Sequence, residues 1–334
     1  MQNELFYKPV CIGPLQLDGN IFLAPVAGYS NAAFRSACVK LGANFTYTEL
    51  VSSEALVRSK DKTEKLLERG KNEKHYAIQL FGGNPNNMGE AAKIVAEKYK
   101  PSCIDINVGC PMPKITRSCG GSYLMQDVNL LFSVVEAVVK AVAPLPTTVK
   151  LRAGYDADHL NWLECSKACV EAGVSAITMH PRTRAQRYSG KADWSIIKSL
   201  VEHFGKYISI FGSGDLFTPE DALNMLKETG CNAIMFARGA MGNPFIFEQT
   251  RTFLLTGSYT KEVPVSKRLG ICLEELLDIA TVDGEKSACL QMRKKMAAAL
   301  KGIPDAANLR AKLVLCETIE QYRSIIDKVQ GENL

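Results

Sequence analysis

Through residue 250 the chain alternates between two hydrophobic patterns. Short runs of apolar or β-branched residues end in Gly, Pro or polar residues. Longer stretches follow in which apolar side chains return every three or four positions. Eight of the short runs predict strands: Ile21–Ala24, Phe45–Leu50, Tyr76–Phe81, Cys103–Val108, Thr147–Leu151, Ala176–Met179, Ile208–Phe211 and Ala233–Phe236. Most lack strict alternation, as strands covered on both faces do. The stretches between them predict amphipathic helices, among them Gly89–Lys98, Leu130–Val142, Leu163–Ala172 and Pro219–Lys227. Eight strand–helix units in about 250 residues predict an α/β fold, a (β/α)8 TIM barrel. A doubly wound sheet is the competing topology. Each strand ends in a polar or glycine-rich feature: Pro25–Gly28, Glu49, Gln79, Asn107–Cys110, Lys150 with Arg152, His180 with Arg182, Gly212–Asp215, and Arg238. Barrel sites are built at those strand ends.

After Phe247 the alternation stops, and from about Thr260 to Asn333 the pattern is helical throughout. Apolar residues recur at three and four spacings in Leu269–Ile279, Cys289–Leu300 and Leu309–Val329, with Gly302, Ile303 and Pro304 read as a break between helices. Two domains are therefore expected, a barrel over residues 1–255 and a C-terminal helical bundle over 256–334. Within the bundle Arg293, Lys294, Lys295, Lys301, Arg310 and Lys312 cluster in sequence. Taken alone, such a cluster is a solvated helix face.

Composition narrows the class. With 334 residues, 46% of them hydrophobic and 22% charged, the chain can bury a large core and is neither disordered nor fibrous. The formal net charge of +5 permits an acidic partner without demanding one. No apolar run approaches the ~20 residues of a membrane span, and the first ten residues do not read as a secretory signal. The eleven cysteines are scattered singly, without a CxxC pair or zinc spacing. They predict a reduced, cytoplasmic protein with mostly buried thiols and no metal site.

The strand ends carry the chemistry. In DINVGCP (105–111) a strand stops at Asn107, glycine turns the chain, and Cys110 sits on the loop. That position leaves three roles for its thiol: nucleophile, redox group or proton donor. Cys119, nine residues on, is a resolving partner for redox work only if it lies in the loop, and it is expected to start the next helix. A thiol with a pKa near 8.5 donates a proton at neutral pH without tuning. Lys150, pointing into a barrel mouth, needs an anion. His180 alone is weak evidence; with Arg182 and Arg184 beside it, an anionic or flavin-like ligand is favoured. FGSGD (211–215) and FARGAMGNP (236–244) follow strands seven and eight, where barrels bind phosphate through backbone N–H groups. That phosphate can belong to FMN, a sugar phosphate or a nucleotide.

Together LAPVAGYSNAAFR (23–35), TEL (48–50), QLFGGNP (79–85), DINVGCP, TVKLRAG (148–154), HPRTRAQRYSGKADW (180–194), GSGD (212–215) and ARGAMGNPFIF (237–247) resemble the tRNA-dihydrouridine synthase family in order and spacing. The tail MRKKMAAALKGIP (292–304) is most similar to its bacterial B-type branch. The resemblance implies FMN in the barrel mouth and reduction of uridines in tRNA to 5,6-dihydrouridine, with NADPH as electron source. It implies that Pro25, Val26 and Ala27 touch the flavin ring, that Gln79 and Lys150 meet its polar edge, and that His180 lies nearby. Ser213, Gly214, Asp215, Ala237 and Arg238 would hold the ribityl phosphate. The flavin would give a hydride to uracil carbon 6 and Cys110 a proton to carbon 5, with Asn107 on the uracil edge. Arg182, Arg184, Arg293, Lys294 and Lys295 would contact RNA phosphates of a tRNA bound to a monomer. Val26, Asn31, Pro181, Ser213, Ala237, Lys295 and Ala298 depart from the residues usual in the family. Two other functions compete: a flavin barrel that reduces a free pyrimidine or enone, and a non-catalytic RNA-binding barrel.

Overall fold

A computed structural model describes residues 6–58, 61–300 and 306–331. Eight parallel strands run in sequence around a barrel: β1 Ile21–Leu23, β2 Thr46–Tyr47, β3 Tyr76–Phe81, β4 Cys103–Asn107, β5 Thr147–Gly154, β6 Ala176–Thr183, β7 Ser209–Ser213 and β8 Ala233–Phe236. From β2 to β8 each strand pairs with the next, and β8 pairs with β1. A Phe22–Phe45 bridge, with Leu23 N–H donating to the Phe45 carbonyl at 2.9 Å, closes β1 onto the approach to β2.

Both faces of the sheet are covered, which explains the weak alternation in the sequence. Outward residues such as Ile78, Ile104, Val149 and Ile177 pack under the surrounding helices. Inward residues Phe22, Phe45, Tyr47, Ala77, Cys103, Ala176, Phe211 and Met235 fill the barrel bottom. There Phe22 meets Phe211 edge-on at 5.1 Å, and Phe45 meets Tyr47 at 5.2 Å. The same period of two continues upward, so the next inward positions fall on Gln79, Asp105, Thr148 and Thr178, and then on Asn107, Lys150, Arg152 and His180. The lower half is therefore apolar and the upper half polar.

The structure revises several predicted bounds. The second predicted strand, Phe45–Leu50, shrinks to β2, and just past its predicted end a separate Val51–Ser52 strand pairs with the end of β3. Strands β5 and β6 run on to Gly154 and Thr183 because they keep pairing past the barrel rim, with an irregularity between Arg152 and Gly154. An antiparallel hairpin, Val10–Ile12 with Leu15–Leu17, adds buried Val10, Ile12 and Leu17 to the barrel bottom. Its three-residue strands are too short to stand out as a pattern. Cys119 starts no helix: it is exposed at φ +54°, ahead of a short 3-10 turn at Gly121–Gln126.

The C-terminal part is helical, with helices Val265–Asp283, Glu285–Ala299, Ala306–Leu313 and Ile319–Gly331. The expected single run Leu309–Val329 is two helices. Thr318 Oγ1 accepts from Gln321 N–H at 3.3 Å, and Gln321 Oε1 accepts from Thr318 N–H at 3.3 Å; this reciprocal cap starts a new helix. The predicted break at Gly302–Pro304, and Lys301, lie outside the described residues. The boundary expected at 255/256 falls on the last turn of helix Ile246–Thr256. The tail packs on the barrel helix Ala32–Lys40, and Ala33 joins its core beside Leu269, Leu276, Met292, Met296 and Tyr322. Ion pairs Lys40–Glu274, Lys65–Asp283 and Lys71–Asp278 line the seam. Among the described residues, no helix is long and apolar enough to cross a membrane, and no group of three or more His, Cys, Asp or Glu side chains could hold a metal ion.

Candidate active site at the barrel mouth

The C-terminal ends of the strands enclose a cavity of about 590 Å³. Its wall includes Pro25, Val26, Ala27, Asn107, Cys110, Lys150, His180, Ser213, Gly214, Asp215, Ala237 and Arg238, so the structure gathers these predicted residues in one place. They come from β1 and from β4 to β8, and only barrel closure brings them together.

Cys110 sits half-buried on the turn after β4. Asn107 Oδ1 accepts from the N–H groups of Gly109 at 3.2 Å and Cys110 at 2.8 Å, and Arg152 Nε donates to the Gly109 carbonyl at 2.7 Å. The turn is thus held from two strands. Burial pushes the Cys110 thiol above its ordinary pKa, against a lowering pull from the backbone at Met112 and from Arg152 and Lys150. Such a thiol stays protonated at neutral pH. Of the three roles open to it, proton donation suits it better than thiolate attack or redox exchange.

Burial and the neighbouring Arg152 push Lys150 down to about 8. His180 lies well below its ordinary value, through burial first and then the charges of Lys150, Arg152, Arg182 and Arg238. The imidazole is therefore neutral at pH 7. Arg182 Nη1 stands 3.4 Å from His180 Nε2, and arginine can only donate, so Nδ1 carries the ring proton.

Two expected RNA contacts are corrected. Arg182 is only 1% exposed. Its Nη2 bonds both oxygens of Asp215 at 2.8 and 2.7 Å and the Gly190 carbonyl at 2.7 Å, so it ties loop to loop and cannot reach a phosphate outside. The side chain of Lys295 is 13% exposed. It pairs with buried Glu275, and its ammonium lies 4.4 Å from the ring centre of Phe34 and 5.5 Å from that of Tyr29. It belongs to the seam between tail and barrel. Of the remaining basic candidates, Lys294 is exposed. Arg293 is half-buried, donating to the Cys316 carbonyl at 3.4 Å. Arg184 is half-buried against Tyr155, its guanidinium 4.8 Å from the ring centre.

Gln79 also stands apart from its expected place. It is fully buried below the cavity, donating to Asp105 at 2.5 Å and accepting from Asn107 at 2.9 Å, which leaves one amide N–H for any ligand edge. Asp215 is likewise more specific than expected. Its carboxylate is shared by Arg182, Arg238 at 3.1 Å and the Ala192 N–H at 2.8 Å, so only its backbone is free for a phosphate. Gly214 before it has φ +115°, and a Cβ there would lie 3.0 Å from both Ala192 Cβ and His180 Cδ2. Only glycine lets this loop lie so close to the wall.

Some wall residues were not singled out from the sequence. Tyr29, Met112, Tyr188 and Phe217 line the rim, and Arg238 lies 4.6 Å from the Tyr188 ring centre and 5.1 Å from that of Phe217. Asp105 and Thr148 lie beneath the wall. Their signal was the inward register they share with Gln79 and Lys150.

The family description "Dihydrouridine synthase (Dus)" matches residues 22–331. A probable tRNA-dihydrouridine synthase of Treponema pallidum is 52% identical over 309 residues, covering 90% of each chain. The tRNA-dihydrouridine synthase B of Pseudomonas aeruginosa is 34% identical over 321 residues, covering 94% of this chain and 95% of that one. Among solved structures, histamine dehydrogenase from Rhizobium sp. 4-9 superposes with a TM-score of 0.59 at 14% identity, over 83% of this chain and 51% of that one. An old yellow enzyme homologue from Zymomonas mobilis gives 0.54 at 14% identity, over 78% and 94%. These two share the fold. The profile match and the similarity to the Treponema and Pseudomonas proteins span nearly the whole chain, and this protein belongs to the dihydrouridine synthase family.

Proposed function

We propose that this protein reduces specific uridines in tRNA to 5,6-dihydrouridine, with FMN held in the barrel mouth and NADPH as the electron source. The observation that carries this reading is that Cys110, Lys150 and His180 line one cavity at the barrel mouth, opposite the Ser213–Asp215 and Ala237–Arg238 turns.

The residues present fit FMN. A cavity of about 590 Å³ lies within the range usual for small-molecule sites. The glycine-bound cradle at Ser213–Asp215 faces the Ala237–Arg238 turn, and the cations around the wall outnumber the one carboxylate on it. Backbone N–H groups of Gly214, Asp215, Ala237 and Arg238 would hold the phosphate, Ser213 would line that end, and Pro25, Val26 and Ala27 would flank the ring. Lys150 would balance negative charge on its polar edge, which raises the lysine pKa back from about 8. Bound and reduced, FMN would supply the hydride for uracil carbon 6.

The protein's own share is orientation and one proton. The uridine must leave the RNA stack to reach the mouth. As carbon 6 gains its hydride, the electron pair moves toward carbon 5, and Cys110 Sγ–H protonates it there. Lys150 and Arg152 stabilise the thiolate that remains. Asn107 holds the pyrimidine edge through the amide N–H it does not use on Gln79. Lys294, Arg293 and Arg184 supply phosphate contacts, with residues 256–334 as the RNA-binding part. This activity belongs to a cytoplasmic protein.

The test is Cys110→Ala. Flavin content and NADPH oxidation stay near wild type, while dihydrouridine formation in unmodified tRNA falls by about 10²–10⁴, the usual worth of a general acid. Normal dihydrouridine formation by the variant would remove Cys110 from its role. Equal turnover of free uridine and tRNA by the wild type would favour a small-molecule reductase instead.

A further inference from the structure

Asp105 lies one layer under the cavity, fully buried, with no task in the proposed reaction. Its carboxyl begins a chain of hydrogen bonds that crosses three strands. Gln79 Nε2 on β3 donates to Asp105 Oδ2 at 2.5 Å, and Thr148 Oγ1 on β5 donates to Oδ1 at 2.6 Å. The Gln79 carbonyl accepts from Asn107 Nδ2 at 2.9 Å. The Asn107 carbonyl accepts from the backbone N–H groups of Gly109 and Cys110.

This chain has a direction. By shape alone each amide fits its place either way round. Turned over, Gln79 would set its carbonyl against a carboxylate oxygen, and Asn107 would set its N–H2 against two backbone donors. The acceptor on Asp105 thus selects the orientation of Gln79, which selects that of Asn107, which ties down the turn. Lys150 faces Asp105 from β5 and Tyr47 and Cys103 lie on its other sides, and burial pushes the carboxyl up to about 7. Protonation does not reverse the direction: the O–H turns to the Thr148 hydroxyl oxygen, and the other oxygen still accepts from Gln79.

We propose that Asp105 is a positioning residue for Cys110: through Gln79 and Asn107 it holds the Gly109–Cys110 turn so that the thiol stays half-shielded on the cavity wall. This deepens the proposed function and rests on Cys110 as its proton donor.

The test reads the thiol itself in flavin-free protein, by iodoacetamide alkylation of Cys110 against pH with peptide mapping. In Asp105→Asn the amide oxygen still faces Gln79 and its N–H2 faces the Thr148 hydroxyl, so the profile stays within about twofold of wild type. In Asp105→Leu the direction is lost and the turn loosens. Cys110 then becomes more exposed and its pKa falls toward the ordinary value. Alkylation at pH 7 then quickens well beyond the about twofold band set by Asp105→Asn, as a larger thiolate fraction requires. Buried Cys103 and Cys231 stay unreactive, which separates a loosened turn from a loosened barrel. If Asp105→Leu does not fold, Gln79→Leu breaks the next link with the carboxylate in place, and the same quickening is expected. A wild-type Cys110 profile in whichever of these two variants folds overturns the proposal, as does Asp105→Asn behaving like Asp105→Leu. None of these outcomes depends on uridine reduction, so a failure here is distinct from a failure of the Cys110→Ala test.

Discussion

Buried ionisable residues set the chemistry at the smallest scale, and their neighbours decide which form each takes. Asp105 is raised to about 7 by burial, against 3.8 ordinarily. Between those values the folded protein keeps a proton that the unfolded chain has lost, so this group favours folding at low pH and that contribution declines as pH rises toward 7. Asp105→Asn lacks the titration. The stability of wild type relative to this variant should therefore fall by ~1.4 kcal/mol per pH unit across the window and level off above it. Urea unfolding of both proteins from about pH 4.5 to 8 measures it; a flat difference would mean that the carboxyl titrates normally. Arg182 illustrates the limit of residue-level reading. Beside His180 and Arg184 it reads as an exposed cation, and its burial depends on Asp215, a partner 33 positions away in the chain.

At the scale of elements, strand ends and turns were legible and layers were not. The Asn107–Cys110 turn, the two glycine loops and Lys150 stood out because Gly, Cys and Lys interrupt apolar runs. Asp105 and Thr148 were hidden inside strands buried on both faces, where a polar inward residue differs from its neighbours only in register. The hairpin at Val10–Leu17 was hidden by its shortness, and the last helical run read as continuous because the Thr318–Gln321 cap leaves the hydrophobic spacing nearly intact. The β7 loop gives a prediction at this scale. Gly214→Ala places a Cβ against His180 and Ala192 at a φ that side chains rarely adopt. It should cost about 1–3 kcal/mol in stability and weaken flavin binding, read by denaturation and by fluorescence titration with FMN. Unchanged values of both would mean that the loop relaxes freely.

For the whole molecule, the question is how the tail sits on the barrel. Three exposed ion pairs line the seam, and each contributes little, about 0–1 kcal/mol. Lys295–Glu275 is different, because Glu275 is nearly inaccessible and its carboxyl is raised by burial. Lys295→Met strands that carboxyl and should cost about 3–5 kcal/mol, whereas adding Glu275→Leu should restore much of the loss. Both partners belong to the tail, Glu275 on helix Val265–Asp283 and Lys295 on helix Glu285–Ala299, so the pair joins two tail helices where they face Phe34. Equal stability of the single and double variants, by urea unfolding, would show that the stranded carboxyl carries no penalty. The sequence located Lys295 within a basic cluster but not its direction, since that depends on how the Ala32–Lys40 helix meets the tail.

One nitrogen of Arg182, Nη2, grips both oxygens of Asp215, and Arg238 joins the same carboxylate. Asp215 serves the two guanidiniums as a resident counter-ion, so the rim is cohesive on its own account. If the rim takes the phosphate of the proposed cofactor, that phosphate would meet donors already in place and would have no loop to reorganise. Its affinity would be tempered by the internal rival, and the loop would keep its shape with the phosphate bound or absent.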